Sequence, residues 1–162
     1  MAKKEVKLVN DEDAVKLVEI FTGLHMDPTL LHDRMLTNKW IDIGFQGEDP
    51  TTDFRGTGSL GMINLHYFVT KRNKDALNCL AHARDKKTEY FLACSGINVT
   101  YHMVRLFQSP EICLHFTTVS NNEEIMAVFN GLYSSFISKL DEYWVKSPLS
   151  YSFMNFNTVT VG

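Results

Sequence analysis

Residues 40–71 read WIDIGFQGEDPTTDFRGTGSLGMINLHYFVTK. Within them Gly56-Thr57-Gly58-Ser59-Leu60-Gly61 spells G-x-G-x-x-G, and the reading of that hexapeptide decides the fold class. As a dinucleotide fingerprint it needs a strand before it and a βαβ unit around it. What precedes it is Thr51-Thr52-Asp53-Phe54-Arg55, and no strand–helix alternation surrounds it. The better reading is that the glycines let a helix begin close against its neighbours. The residues that follow agree. From about Gly58 to Lys71, Leu60, Ile63, Tyr67 and Met62, Leu65, Val69 cover two sides of a helix. A helix apolar over most of its circumference is expected at the centre of a fold.

Helical periodicity continues in both directions. Upstream, Asp11 to Thr22 has Ala14, Leu17, Val18 and Phe21 on one face, with Asn10 as a candidate cap and Gly23 as the stop. A second helix is expected from Asp27 to about Asn38, with Pro28 at its first position and Leu30, Leu31, Met35 and Leu36 as its stripe. Ile41 and Ile43 alternate with polar residues, but over too short a run for a strand. Asp53 is placed to cap a short turn beginning at Phe54. Downstream, a short helix runs from about Lys74 to Arg84, with Ala76, Leu77, Leu80 and Ala81 inward. Between roughly Thr88 and Gln108, Phe91, Cys94, Ile97, Tyr101, Val104 and Phe107 recur at helical spacing. Gly96 inside that run costs about 1 kcal/mol against alanine, which suggests a close helix contact. Pro110 breaks the chain, and residues 112–119 fit either an extended or an irregular path. Ser120 and Glu123 form an S-x-x-E capping box for a last helix running to about Lys146. Its inward face is Ile125, Val128, Phe129, Leu132, Phe136, Leu140 and Tyr143; Pro148 closes it, and Phe153 and Phe156 could tuck back onto the core. With no repeat or linker, the expectation is a single compact all-α domain over residues 1–162, carrying one long glycine-rich functional loop.

The bulk numbers bound the function. A chain of 162 residues with 44% hydrophobic residues can build one core. A net charge of −3 offers no basic excess to neutralise a phosphate backbone, which argues against nucleic acid as a partner. Cys79, Cys94 and Cys113 are odd in number and unrelated in spacing, as free thiols in a reducing compartment would be. The charged start MAKKEVKLVN has no apolar core of a signal peptide, and no apolar run reaches the ~20 residues that span a bilayer. The expectation is a soluble cytoplasmic protein that does not itself insert into membranes.

Few motifs carry chemistry. Cys79 and His82 stand three apart, and Cys113 and His115 two apart, but no set of four zinc ligands can be assembled, so no metal is expected. Ser59 and Ser95 lie near glycines, yet neither sits in G-x-S-x-G. Five of the nine glycines fall between Gly44 and Gly61, interleaved with Trp40, Phe45 and Phe54. Such a loop is pinned to a core, and pinned loops carry function. Arg55 is its sharpest residue. It follows an anchoring Phe54 and precedes Gly56, which lets a partner come near. A guanidinium can donate to two phosphate oxygens at once. The plainer alternative is that Arg55 pairs with Asp53 or Asp49 and staples the loop.

The same residues resemble the signature of the ELMO (engulfment and cell motility) domain. The likeness is greatest to those ELMO-domain proteins that act as GTPase-activating proteins (GAPs) for Arf- and Arl-type small GTPases. The shared string is Trp40, Gly44, Phe45, Gln46, Gly47, Pro50, Thr52, Asp53, Phe54, Arg55, Gly56 and Gly58, followed by Gly61, Asn64, Leu65 and Phe68. Weaker support comes from residues 97–100 and from the aromatic pattern toward the carboxyl end, so that the likeness spans about residues 30–159. The resemblance implies an all-helical domain, a GTP-bound Arf/Arl partner and an arginine, Arg55, required for GAP activity. The other residues from Trp40 to Gly58 would position the loop or touch the GTPase. The GTPase would bring the nucleotide and Mg²⁺, so the domain needs no cofactor of its own, and it would recruit the domain to membranes. Scaffolding members of the family lack the Asp-Phe-Arg triplet as a working element, and this chain keeps it at Asp53, Phe54 and Arg55. Thr57 departs from the apolar residue expected between its two glycines. The alternative function is a non-catalytic effector or adaptor that binds an Arf-type GTPase. A third is an unrelated small-molecule enzyme built on the glycine-rich helix start.

Overall fold

The computed structural model describes residues 11–32, 35–110, 112 and 121–146. They include five α-helices: α1 (Asp11–Gly23), α2 (Ser59–Lys71), α3 (Asn73–Arg84), α4 (Leu92–Leu106) and α5 (Asn122–Lys146). Among the described residues, the 3₁₀ helices Pro28–Leu30, Asn38–Ile43 and Pro50–Gly56 lie between α1 and α2. No strand occurs among the described residues, and the fold is all-α.

α2 is the central element and packs against each of the other four α-helices. It starts where it does because Gly58 supplies a backbone turn at φ 61°, ψ −147°, a region open essentially to glycine alone. The G-x-G-x-x-G hexapeptide is therefore a helix start, with no strand feeding it. The ends of α1 and α2 are tied by Asn73, whose side-chain amide donates to the carbonyls of Gly23 (2.8 Å) and Val69 (2.9 Å). α4 approaches α5 at Gly96, where an added Cβ would lie 2.5 Å from the Tyr133 hydroxyl. The close contact suggested by Gly96 is there.

Several sequence expectations are corrected. The helix expected from Asp27 lasts one turn. Asp27 accepts the Thr29 N–H at 2.9 Å and its hydroxyl at 2.7 Å, as an N-cap does, but Leu31 is already extended. Met35 then takes a positive φ, and its carbonyl accepts the indole N–H of the buried Trp40 at 2.7 Å. That bond draws the chain into the loop instead of a helix. α4 begins at Leu92 because the preceding residues hold other elements together. Thr88 Oγ1 donates to His82 O, and Tyr90 N–H donates to Ala83 O.

On α5 the buried stripe is Phe129, Tyr133, Ile137 and Trp144, with Asn130, Ser134 and Asp141 beside it. Ile125, Val128, Phe136 and Tyr143, expected inward, are exposed. Buried polar groups explain the shift in register. Asp141 accepts the Tyr90 hydroxyl at 2.7 Å and lies 2.7 Å from His82 Nδ1, while Trp144 Nε1 donates to Thr88 O at 2.9 Å. The first turn of α5 is capped by Asn121, whose side chain accepts the Glu124 N–H at 2.8 Å. The box proposed on Ser120 lies outside the described residues. So do Asn10, Cys113, Pro148, Phe153 and Phe156.

Candidate functional site

The loop from Thr37 to Gly58 is held from three sides. Its base is closed by the Thr37 N–H, which donates to Glu48 O at 3.1 Å. Its interior is an aromatic chain: Phe21 against Trp40 at 4.7 Å between centroids, Trp40 against Phe45 at 5.1 Å, and Phe45 against Phe54 at 5.9 Å. All four rings are fully buried. A buried aromatic removes roughly 150–250 Å² from water, which at about 25 cal/mol/Å² contributes roughly 4–6 kcal/mol before the cost of ordering the chain.

The third support is α4. Phe91, at the N-terminal boundary of α4, offers no side-chain cap, and Gly44 O instead accepts the Cys94 N–H at 3.0 Å. This contact explains Gly44. Its φ is 92°, and a Cβ there would collide with the backbone nitrogens of Leu92 and Ala93. Gly47 and Gly56 differ, since a Cβ at either would meet no atom within 4 Å and neither has a positive φ. Among the described residues nothing requires those two to be glycine.

Asp49 and Asp53 spend their carboxylates on the loop. Asp49 caps the 3₁₀ helix Pro50–Gly56, accepting the Thr51 N–H at 3.0 Å and the Thr51 hydroxyl at 2.6 Å. Thr52 Oγ1 donates to Asp49 O at 2.9 Å, and Pro50 is buried at the start of the turn. Asp53 Oδ2 accepts the Gln46 N–H at 2.8 Å and faces the Cys94 thiol at 3.8 Å. Asp53 thus sits within the 3₁₀ turn and clamps it to Gln46, instead of capping a turn that begins at Phe54.

Burial pushes the Asp53 carboxyl above the ordinary carboxylate range. The Gln46 N–H, the Cys94 thiol and the charge of Arg55 oppose the shift. Cys94 is pushed up to about 12, by burial first and the Asp53 charge second, so it stays a thiol. It suits a hydrogen-bond donor, not a nucleophile.

Arg55 itself is exposed on the last turn of the 3₁₀ helix. Among the described residues its side chain makes no hydrogen bond and no ion pair. The alternative staple to Asp53 or Asp49 is absent: Asp53 Oδ2 and Asp49 Oδ1 accept loop N–H groups, and Asp53 Oδ1 is buried away from solvent. Gln46 and Thr52 are exposed beside it.

Arg55 opens onto a groove of about 440 Å³ between the loop and α4. The loop wall is Gln46, Thr52, Asp53, Arg55, Gly56 and Thr57; the helix wall is Phe91, Cys94, Ile97, Asn98 and Tyr101. Of the sequence-predicted site residues, Gln46, Thr52, Asp53, Arg55 and Gly56 are brought together here. Trp40, Gly44, Phe45, Pro50, Phe54 and Gly58 are buried behind them, and Gly47 lies on the open side of the loop. The helix wall was missed by the sequence reading. Phe91, Cys94 and Tyr101 stood in a recurring apolar pattern, but the buried residues of α4 are Leu92, Ala93, Ser95, Gly96, Ile97, Val99, Thr100 and Met103, several of them small or polar. Small and polar residues do not register in an apolar count. The usable signal was Gly96, which marks the side of α4 that touches other helices.

With the geometry in hand, comparison with known proteins gives a class. Residues 2–160 match the model of the ELMO/CED-12 family. The chain belongs to that family. It is similar to ELMO domain-containing protein 2 of Mus musculus, at 33% identity over 155 residues covering 96% of this chain and 52% of the relative. ELMO domain-containing protein B of Dictyostelium discoideum is 36% identical over 132 residues, which is 82% of this chain and 45% of that protein. ELMO domain-containing protein 2 of Homo sapiens is 34% identical over 130 residues, 80% of this chain and 44% of the relative. The chain spans about half the length of these curated relatives. No solved structure matches it significantly. Among the described residues no helix is long and apolar enough to cross a membrane.

Proposed function

We propose that this domain is a GTPase-activating protein for an Arf- or Arl-type small GTPase, and that Arg55 is the arginine it inserts into the partner's nucleotide site. The observation that carries the reading is the state of Arg55. It is exposed, unpaired among the described residues, and mounted on a turn fixed by Phe54, Asp49 and Asp53. The backbone that carries Arg55 is already ordered, so docking has to order little beyond the side chain itself.

In the mechanism the GTPase supplies nucleotide, Mg²⁺ and the attacking water. As the γ-phosphoryl group loosens, charge builds on its oxygens, and the Arg55 guanidinium donates to two of them. An arginine acting in trans in this way accelerates hydrolysis by about 10³–10⁵. The open flanks at Gly47 and Gly56 let the partner's backbone approach to contact distance. Membership of the ELMO/CED-12 family and retention of the Asp-Phe-Arg triplet support the same reading.

The test is phosphate release from a panel of GTP-loaded Arf and Arl proteins with and without the domain. Acceleration of at least one member is expected. Tight GTP-dependent binding without acceleration would assign the domain to the effector or adaptor class instead.

A further inference from the structure

We propose that the outer face of α4, formed by Asn98, Tyr101 and Arg105, is a second docking surface for the same GTPase. It seats an extended acidic segment beside the partner's nucleotide and sets which GTPase is accepted. The proposal rests on the reading of Arg55 given above and deepens it.

Cys94, Asn98, Tyr101 and Arg105 are spaced by four, three and four residues, so they form one stripe along the helix. The stripe is joined to the Arg55 loop at its first member. Cys94 N–H donates to Gly44 O, and Cys94 Sγ lies 3.8 Å from Asp53 Oδ2. The groove beside Arg55 continues along it as far as Tyr101, which is 42% exposed. One turn further, the Arg105 guanidinium lies over the Tyr101 ring, 5.8 Å from its centroid. That stacking orients the arginine. From Cys94 to Arg105 the helix rises about 16 Å, the reach of roughly five residues of extended chain.

Charge identifies the occupant. The groove has one carboxylate in its lining, Asp53. Its Oδ2 is committed to the Gln46 N–H, and its Oδ1 is shut off from solvent. Arg55 lines this groove and Arg105 lies one turn beyond Tyr101, and neither has an ion-pair partner among the described residues. His102 beside Arg105 is held below its ordinary value, by burial first and by Arg105 second. A locally cationic path on a chain of net charge −3 is complementary to an acidic segment. Discrimination also needs such a surface. The phosphates that Arg55 would contact are the same in every GTP-loaded partner, so selectivity must come from contacts outside them.

The experiment measures GTP hydrolysis by an accelerated Arf or Arl protein against increasing concentrations of wild-type domain, Tyr101→Ala, Arg105→Glu and Arg55→Lys. Circular dichroism confirms the fold of each. For Tyr101→Ala and Arg105→Glu the half-saturating concentration is expected to rise at least tenfold while the saturating rate approaches wild type. Arg105→Glu should also flatten the salt dependence of that concentration. Arg55→Lys should lose rate at saturation instead. Half-saturation within twofold of wild type for both α4 variants overturns the proposal. So does a loss at saturation matching that of Arg55→Lys.

If the wild-type domain accelerates no Arf or Arl protein, the GAP reading fails by itself. GTP-dependent binding of the same variants then decides the α4 surface. A tenfold weakening supports it, whereas unchanged affinity, or no GTP-dependent binding by wild type, overturns it.

Discussion

Asp53 Oδ2 accepts the backbone N–H of Gln46 at 2.8 Å, closing the glycine-rich loop across seven residues. The bond turns the Asp53 carboxylate into the loop, with Oδ1 buried, and Arg55 makes no ion pair among the described residues. The placement of Asp53 has a cost that this bond only partly offsets: the carboxyl is half-buried, and burial raises it above its ordinary value of 3.8. The folded chain therefore holds that proton more readily than the unfolded chain. The stability linked to it is full below 3.8 and is lost as pH rises through the higher folded value.

Asp53→Asn removes the ionisation and still offers an amide oxygen to Gln46. Its stability relative to wild type should therefore grow as pH rises above the ordinary carboxylate range. Urea melts of both proteins from about pH 3 to pH 7 check this. A difference that stays flat with pH would show that burial of this charge costs nothing.

The glycines divide into two groups with opposite expected behaviour. Gly44→Ala places a Cβ against the backbone of Leu92 and Ala93 at a positive φ. The dihedral alone costs about 1–3 kcal/mol, and the collision adds to it. Gly56→Ala meets no neighbour, so stability should stay within about 0.5 kcal/mol. If a partner's backbone passes that point, Gly56→Ala should nonetheless weaken GTPase acceleration. Thermal melts and hydrolysis rates on the same samples separate the two effects. A Gly56→Ala variant with unaltered rate would remove Gly56 from the contact surface.

Gly96 and Tyr133 form a coupled pair. Gly96→Ala would press on the Tyr133 hydroxyl, on Ile137 and on Leu65, an overpacking that costs about 1–3 kcal/mol. That hydroxyl is buried and has no hydrogen-bond partner among the described residues. Tyr133→Phe should therefore be close to neutral by itself and should recover much of the loss in the double variant. A double-mutant cycle in urea measures the coupling. Additive losses would mean that the hydroxyl is not what the alanine strikes.

The sequence announced some of this and hid the rest for physical reasons. Gly58, Gly61 and the apolar circumference of α2 announced a central helix without a strand before it. The buried ring chain was legible too, because Trp40, Phe45 and Phe54 sit between residues that only turn or bend. The register of α5 was not legible. Asp141, Asn130 and Ser134 are inside it, each hydrogen-bonded or sheltered, and a reading that counts apolar residues puts them outside. The same blind spot hid the groove wall on α4. The brevity of the helix at Asp27 was also hidden, because the bond from the Trp40 indole to the Met35 carbonyl that competes with it is tertiary. At Arg55 the sequence left a staple and a free guanidinium both open, and the partners of Asp49 and Asp53 decided between them.

The central claim concerns what Arg55 does in another protein's site, and single-turnover hydrolysis by the GTP-loaded partner tests it most directly. Wild type, Arg55→Lys and Arg55→Ala are compared at saturating domain and matched circular dichroism. An ammonium cannot reproduce the two-pronged contact of a guanidinium, so both variants should bind the partner yet lose about 10³-fold or more of the stimulated rate. Partner hydrolysis at the wild-type rate in the presence of either Arg55→Lys or Arg55→Ala would contradict the account.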